Sequence, residues 1–260
     1  MIELLVVIAV IALLAALLLP ALNRGKDQAK RVVCINNLKQ LTAAWNLYCD
    51  DNNDKVPPNY QESVLAGVPN NWVWNVMMYE KGTETSAYKH ADSADRSLLV
   101  NPERSVLGPY CLSPDIFHCP ADRSYIELPD GRAPRVRSYS LNALISSGDV
   151  GFARPGAIRF RGSIKRNAFL FVEEHEDTIF GGEFVFSATS RSPPSIYSFG
   201  GSVPSSRHRG SGTMSFTDGS VVVKQWQDPA TLIPIIRAFH SSSPSPNSPD
   251  VEWFAKQNVF

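Results

Sequence analysis

The sequence predicts an α+β fold in which one long N-terminal helix packs on an antiparallel β-sheet head with long loops. Three observations predict it. Glu3 is followed by nineteen residues, Leu4 to Leu22, that carry no charge. A helical apolar stripe then appears at Cys34, Leu38, Leu41, Trp45 and Tyr48. Beyond residue 56 the chain changes to short apolar runs broken by Pro, Gly and Ser, the pattern of strands joined by loops rather than of βαβ units.

The first element, residues 1–22, reads as a transmembrane helix. Leu4 to Leu22 at about 1.5 Å per residue reaches about 28 Å, close to the roughly 30 Å of a bilayer's hydrocarbon core. A cleavable signal peptide is disfavoured, because Met1, Ile2 and Glu3 carry no positive charge and no A-x-A step precedes Arg24. A plain anchor leaves Glu3 unexplained, since a carboxylate at the edge of a span is unfavourable and marks a function. Arg24, Lys26, Lys30 and Arg31 follow and read as a headgroup flank, although the positive-inside rule taken alone would hold that flank in the cytoplasm.

Residues 23–53 continue the helix in amphipathic form. The stripe from Cys34 to Tyr48 advances by alternating steps of four and three, which is one helix face, and a sheet is its natural partner. "DDNNDKVPPN" ends the helix. Asp50, Asn52 and Asp54 match the start of a calcium loop, but Lys55 and Gln61 stand where that loop needs Gly and Glu. A solvated turn is preferred, with calcium as the alternative.

Residues 54–240 form the β-rich head. Its expected strands are Val136 to Asn142, Ala168 to Glu173, Glu183 to Ser187, Thr213 to Thr217 and Ser220 to Gln225. The last two form a hairpin on a two-residue Asp218-Gly219 turn, which pairs Phe216 with Val221, Met214 with Val223 and Thr217 with Ser220. The segment from Ser187 to Gly212 reads as an exposed, mobile loop. Residues 241–260 read as a Ser/Pro linker with a short tail.

Charge and cysteine content narrow the function. Lys plus Arg and Asp plus Glu both number 25, so the chain has no basic excess with which to bind nucleic acid. Four cysteines permit disulfides, and the absence of a C-x-x-C pair disfavours a zinc ribbon. His118 adjoins Cys119, but neighbouring side chains make no metal site without further ligands. Cys34 and Cys49 lie about 22 Å apart on a continuous helix and cannot bond. Cys111 with Cys119 is the local candidate disulfide, with all four thiols reduced as the alternative.

"FVEEHED" concentrates Glu173, Glu174, His175, Glu176 and Asp177 after an apolar strand. Strand alternation would place Glu173 with His175 on one face and Glu174 with Glu176 on the other. Paired carboxylates permit a membrane-anchored hydrolase or a carbohydrate-binding head. A polar strand end is preferred, because no nucleophile, phosphate-binding or dinucleotide motif accompanies them, and an enzyme is not expected.

The opening "IELLVVIAVIALLAALLLPAL" resembles the N-terminal helix of type IV pilins and type II secretion pseudopilins, with Glu3 and Pro20 in the places of that family's glutamate and helix proline. The likeness extends through "CINNLKQL", "YCDDNNDKVPPN", "FHCPAD", "RSYSLN" and "FVEEHED" to "RHRGSGTMSFTDGSV". There His208, nine residues, Asp218 and Gly219 fit the H-x9-DG element of a large pseudopilin-like group. The resemblance implies a basic leader cut by a prepilin peptidase, with this chain starting about two residues into the mature segment. It implies a single-pass inner-membrane protein, its head in the periplasm or on the cell surface, assembled by an inner-membrane platform with other pilin or pseudopilin subunits. Residues 1–22 would then be the filament-core helix, with Glu3 and Pro20 serving assembly; no cofactor is expected beyond the calcium alternative above. Asp218 and Gly219 would make the hairpin turn, with His208 hydrogen-bonded to hairpin backbone.

Overall fold

The computed structural model describes residues 2–59, 71–74, 77, 79, 89–147, 156–164, 167–188, 197–199, 201–238 and 248–258. Helix α1, Ile2–Asp51, is a single element of 50 residues that runs through Pro20. Proline lacks the N–H that would close one helical hydrogen bond, and the flanking Ala and Leu residues carry the helix across. The apolar half is exposed along its length, from Leu4 and Val6 to Leu22. α1 is long and apolar enough to cross a membrane, with a window of mean hydropathy 2.7 of which none is buried.

The second half of α1 is buried as its stripe predicts. Cys34, Leu38, Leu41 and Trp45 reach full burial, and Tyr48 packs at the margin. They cover one face of a five-stranded sheet with the order β5-β3-β4-β8-β9. Its strands are β3 (Tyr139–Asn142), β4 (Phe169–Glu173), β5 (Glu183–Phe184), β8 (Ser211–Phe216) and β9 (Val221–Gln225). Among the described residues two further strand pairs occur: β1 (Tyr125–Leu128) with β2 (Gly131–Pro134), and β6 (Ser187–Ala188) with β7 (Tyr197–Ser198). The neighbours in the large sheet are antiparallel except at one edge, where β5 joins β3 in parallel. That edge is fixed by the Leu141 N–H bonding to the Gly182 carbonyl at 2.8 Å and by Trp72 donating its indole N–H to the same carbonyl.

A bulge divides the core. Between Phe169 and Val172 the β4 register shifts against β8, so Leu170 and Phe171 both pack toward α1 while Phe169 and Val172 face away. The far face is closed by a C-terminal helix, Pro249–Lys256, which follows the short helix Ser97–Val100 (α2) and is α3 here. Phe254 of α3 meets Phe169, Phe184, Phe186, Phe199 and Trp226, with ring centroids 5.0–5.7 Å apart. The tail expected at 241–260 is thus a third layer from Ser248 onward, and the Ser/Pro linker at 241–247 lies outside the described residues. Ser248 caps α3 by accepting from the Asp250 N–H, and Pro249 takes the first turn, where its missing N–H costs nothing.

Two further expectations are corrected. The β8–β9 hairpin pairs Ser215 with Val221 and Met214 with Val222, one residue out of the expected register. The Gly219 N–H bonds to the Phe216 carbonyl and the Phe216 N–H to the Ser220 carbonyl, so three residues, Thr217 to Gly219, form the loop. Gly219 alone takes positive φ there, at +86°. A three-residue loop closed by one left-handed glycine replaces the two-residue turn, and the slip sets Val221 and Val223 opposite Ser215 and Thr213 instead of Phe216 and Met214. Within the segment read as an exposed loop, Ser202, Val203, Pro204, Ser205 and His208 are buried, while 189–196 lie outside the described residues.

Candidate functional site

Between α1 and the sheet lies a buried cluster assembled from segments far apart in sequence. β4 delivers Glu173 at its C-terminal end, and the chain then turns, so Glu176 swings back to the same side. The loop before β8 brings Arg207 and His208. The 3-10 turn Pro114–Phe117 leads into Cys119 and Asp122. α1 supplies Cys34.

Arg207 is the hub. Its guanidinium contacts Glu176 at 2.7 Å, Glu173 at 2.9 Å and Asp122 at 3.3 Å, and all four side chains are at most 4 % exposed. It also donates to the Glu174 carbonyl at 2.7 Å. Burial works to lower the Arg207 pKa, but the carboxylates of Asp122, Glu176 and Glu173 overturn it and hold the guanidinium well above its ordinary value. Burial likewise works to raise Asp122, and Arg207, with help from the Ser138 hydroxyl, instead holds it below the usual carboxylate range. Glu173 is held low in the same way by His208 and Arg207 and by the Thr213 hydroxyl. A multiply satisfied arginine of this kind adds little net stability over an apolar core, yet removing one partner strands buried charge.

Cys34 and Cys119 are bonded to each other, their Cα atoms 5.3 Å apart. This corrects the expected Cys111–Cys119 pair. Cys111 is free, as is Cys49, and burial pushes both thiols up to about 12. The sequence argument favoured a short loop, whereas the bridge spans a separation of 85 residues and ties α1 to the head. Asn37, one turn on, donates to the His118 carbonyl at 2.9 Å and fixes the same junction.

His208 is 5 % exposed. Its backbone pairs with Ser211, but its imidazole does not bond hairpin backbone as expected: Nε2 lies 3.4 Å from Glu173 Oε2 and 3.5 Å from Cys119 Sγ. Asp218 lies apart, beyond the other end of β8, at an exposed turn where its carboxylate accepts from Asn167 at 2.7 Å and from the Ser220 N–H at 2.8 Å. The hydrogen bonds from Ser220 hold its pKa low. The nine-residue spacing is therefore the length of one strand with its flanks. Its histidine end is buried beside the disulfide, and its glycine end turns the chain.

The acidic segment does not alternate as a strand, because the chain leaves the sheet after Glu173. Glu173 and Glu176 share Arg207, whereas Glu174 faces Thr178, 3.2 Å away. Burial raises Glu174 to about 7 against hydrogen bonds from Ser140 and Ser202 and the charge of Arg137. Burial lowers Arg137 to about 9, and its guanidinium donates to the Tyr139 and Gly181 carbonyls. His175 accepts the Asp177 N–H on Nδ1, and Asp177 accepts from the N–H groups of Ile236 and Arg237. Asp50 and Asp54 are taken by Arg161, at 2.7 and 2.9 Å, which gives those carboxylates a protein cation in place of the suggested calcium loop. Glu3 is exposed near the start of α1, and Pro20 lies inside it.

Sequence reasoning missed Arg207, Asp122 and Cys34 as partners. A signal was present: all three lie in or beside the motifs that carry the family resemblance. "CINNLKQL", "FHCPAD", "RSYSLN", "FVEEHED" and the start of "RHRGSGT" meet at this one cluster, Ser138 joining through its hydroxyl contacts to Asp122 and the Cys119 N–H. Comparison with protein-family models, with curated proteins and with solved structures finds no match.

Proposed function

We propose that this chain is a structural pilin-like subunit, inserted in the inner membrane and assembled through the first half of α1 into a type II secretion or type IV pilus-like filament. One observation carries the reading: a single continuous helix has one half buried by its own head and the other half apolar and bare. An exposed apolar surface of that extent needs a non-aqueous partner, which lipid supplies before assembly and other stems supply after it. Glu3 at the start of that half is the group a plain anchor has no use for. Among packed stems an unpaired carboxylate is penalised, and the N-terminal amine of a neighbouring subunit is its natural counter-charge.

On this reading the buried cluster sets how the head sits on the stem and does no chemistry on a substrate. Its carboxylates are committed to Arg207 and closed to solvent. Glu3→Ala should leave the protein in the membrane but out of filaments, scored by immunoblot of sheared filaments against the membrane fraction. Normal filament yield from Glu3→Ala would remove the main support for the proposal.

A further inference from the structure

We propose that Cys34, Cys119, His208 and Glu173 form a tetrahedral zinc site when the two cysteines are reduced, so that the same four residues close the head–stem junction either by a disulfide or by a metal. One ligand atom from each lies within 4.8 Å of all the others, and all four residues are buried. With Zn–S about 2.3 Å and Zn–N or Zn–O about 2.0–2.2 Å, the edges of a zinc tetrahedron are about 3.3–3.8 Å. His208 Nε2 already sits at such edge distances, 3.5 Å from Cys119 Sγ and 3.4 Å from Glu173 Oε2. The remaining edges lie within 4.8 Å, and reduction frees the two sulfurs to separate to tetrahedral distance.

The surroundings suit a closed structural site. Glu173 Oε1 accepts from Arg207 at 2.9 Å, which orients the carboxylate, and Oε2, which accepts from the Thr213 hydroxyl at 2.8 Å, keeps a second lone pair for the ion. The Ala121 N–H points at Cys119 Sγ at 3.4 Å, a donor that favours the thiolate. Two thiolates, one imidazole and one carboxylate in a tetrahedron match zinc, a borderline-soft dication, rather than calcium or magnesium. The chemistry balances simply. A dithiol or phosphine reductant gives two electrons to the S–S bond to yield two thiols, and Zn²⁺ then displaces one proton from each without further redox change.

The test uses the full chain in detergent with Cys49 and Cys111 replaced by alanine, so that only the two cysteines in question remain. Reduced by a phosphine and freed of metal, it should bind one equivalent of Zn²⁺. It should also give the thiolate-to-metal charge-transfer and intense visible bands of tetrahedral Co²⁺. The oxidised chain should bind none. His208→Gln should weaken binding by at least roughly 100-fold, since loss of an outer-shell partner alone costs roughly 10–100-fold. Should that variant fail to fold, the parent chain still decides: zinc should raise the melting temperature of the reduced form and leave the oxidised form unchanged. Zinc binding below one equivalent by the reduced chain, an octahedral cobalt spectrum, or equal zinc affinity in both redox states would overturn the proposal.

Discussion

Leu14 and Trp45 stand on one unbroken helix, yet Leu14 is 52 % exposed and Trp45 is fully buried. The backbone is the same in both halves, and what differs is the surface each half is built to meet. Around Leu14 apolar residues cover every side of the helix, which suits lipid or other stems on all sides. Around Trp45 they form a stripe, with Lys39, Gln40 and Leu47 left outward, which suits one sheet. Secondary structure alone therefore says nothing about the partner, and the distribution of apolar residues around the axis says most of it. The two halves also differ in how firmly they are held. The second is bound to its head by the disulfide, by the Thr42–Ser215 hydroxyl contact at 2.8 Å and by the core, and the exposed Asp27–Arg209 pair just past the apolar half adds a contact of small worth.

Breaking the charge cluster should sharpen this contrast most. Arg207→Ala leaves Asp122, Glu173 and Glu176 buried without their shared cation, and the head should lose on the order of 3–5 kcal/mol or fail to fold. Leu14→Ala, in the bare half, should leave the urea midpoint of the head unchanged. An Arg207→Ala head within about 1 kcal/mol of the parent would mean that the cluster does not hold the junction.

Opening the disulfide comes next. Cys34→Ala with Cys119→Ala should cost about 2–4 kcal/mol, because the bridge closes a long loop in the unfolded chain. The loss is measured by urea unfolding in metal-free buffer. Proteolysis should then cut first near residues 30–50, where α1 leaves its packing. Unaltered stability would show that packing alone fixes the stem to the head.

The smallest effect expected is that of pH, and its sign differs for two adjacent carboxyls. Glu174 is raised from 4.5 to about 7, so between those values the folded head keeps a proton that the unfolded chain has released. Stability should fall as pH rises through that window. Glu173 and Asp122 are lowered from 4.5 and 3.8, so their contribution is complete above those values and is lost as pH falls below them. These three groups together place maximum stability near the lower end of the Glu174 window. Urea titrations between about pH 3 and pH 8 should show both limbs, and Glu174→Gln should flatten the upper one only. A variant that keeps the upper limb would assign it to another group.

Much of the fold was legible because periodicity is local. The α1 stripe, β3, β4, β8 and β9 all follow from spacing within a few residues, and the end of β4 fell where it was expected. The hairpin slipped by one residue because Asp218-Gly219 suits either a two-residue turn or the end of a three-residue one, and packing on both faces of β8 decides between them. α3 went unseen although Ser248-Pro249 is a helix-start signal, because a Ser/Pro-rich stretch precedes it and the helix has only eight residues. The site was not legible. Arg207 meets partners from two other segments, and nothing in the spacing of Cys34, Asp122, Glu173 and Glu176 announces that they meet. The resemblance marked the segments, but only the fold shows that they converge.

The most direct test of the account is photo-crosslinking in intact cells with a photo-reactive amino acid placed at Leu14 or at Leu41. The account predicts a ladder of chain-to-chain products from Leu14, since the proposed assembly packs its half of α1 against other stems. From Leu41 it predicts only an internal product of monomer size, since that side chain is fully buried against its own head. Leu14 products confined to lipid adducts, or a chain-to-chain ladder from Leu41, would contradict it.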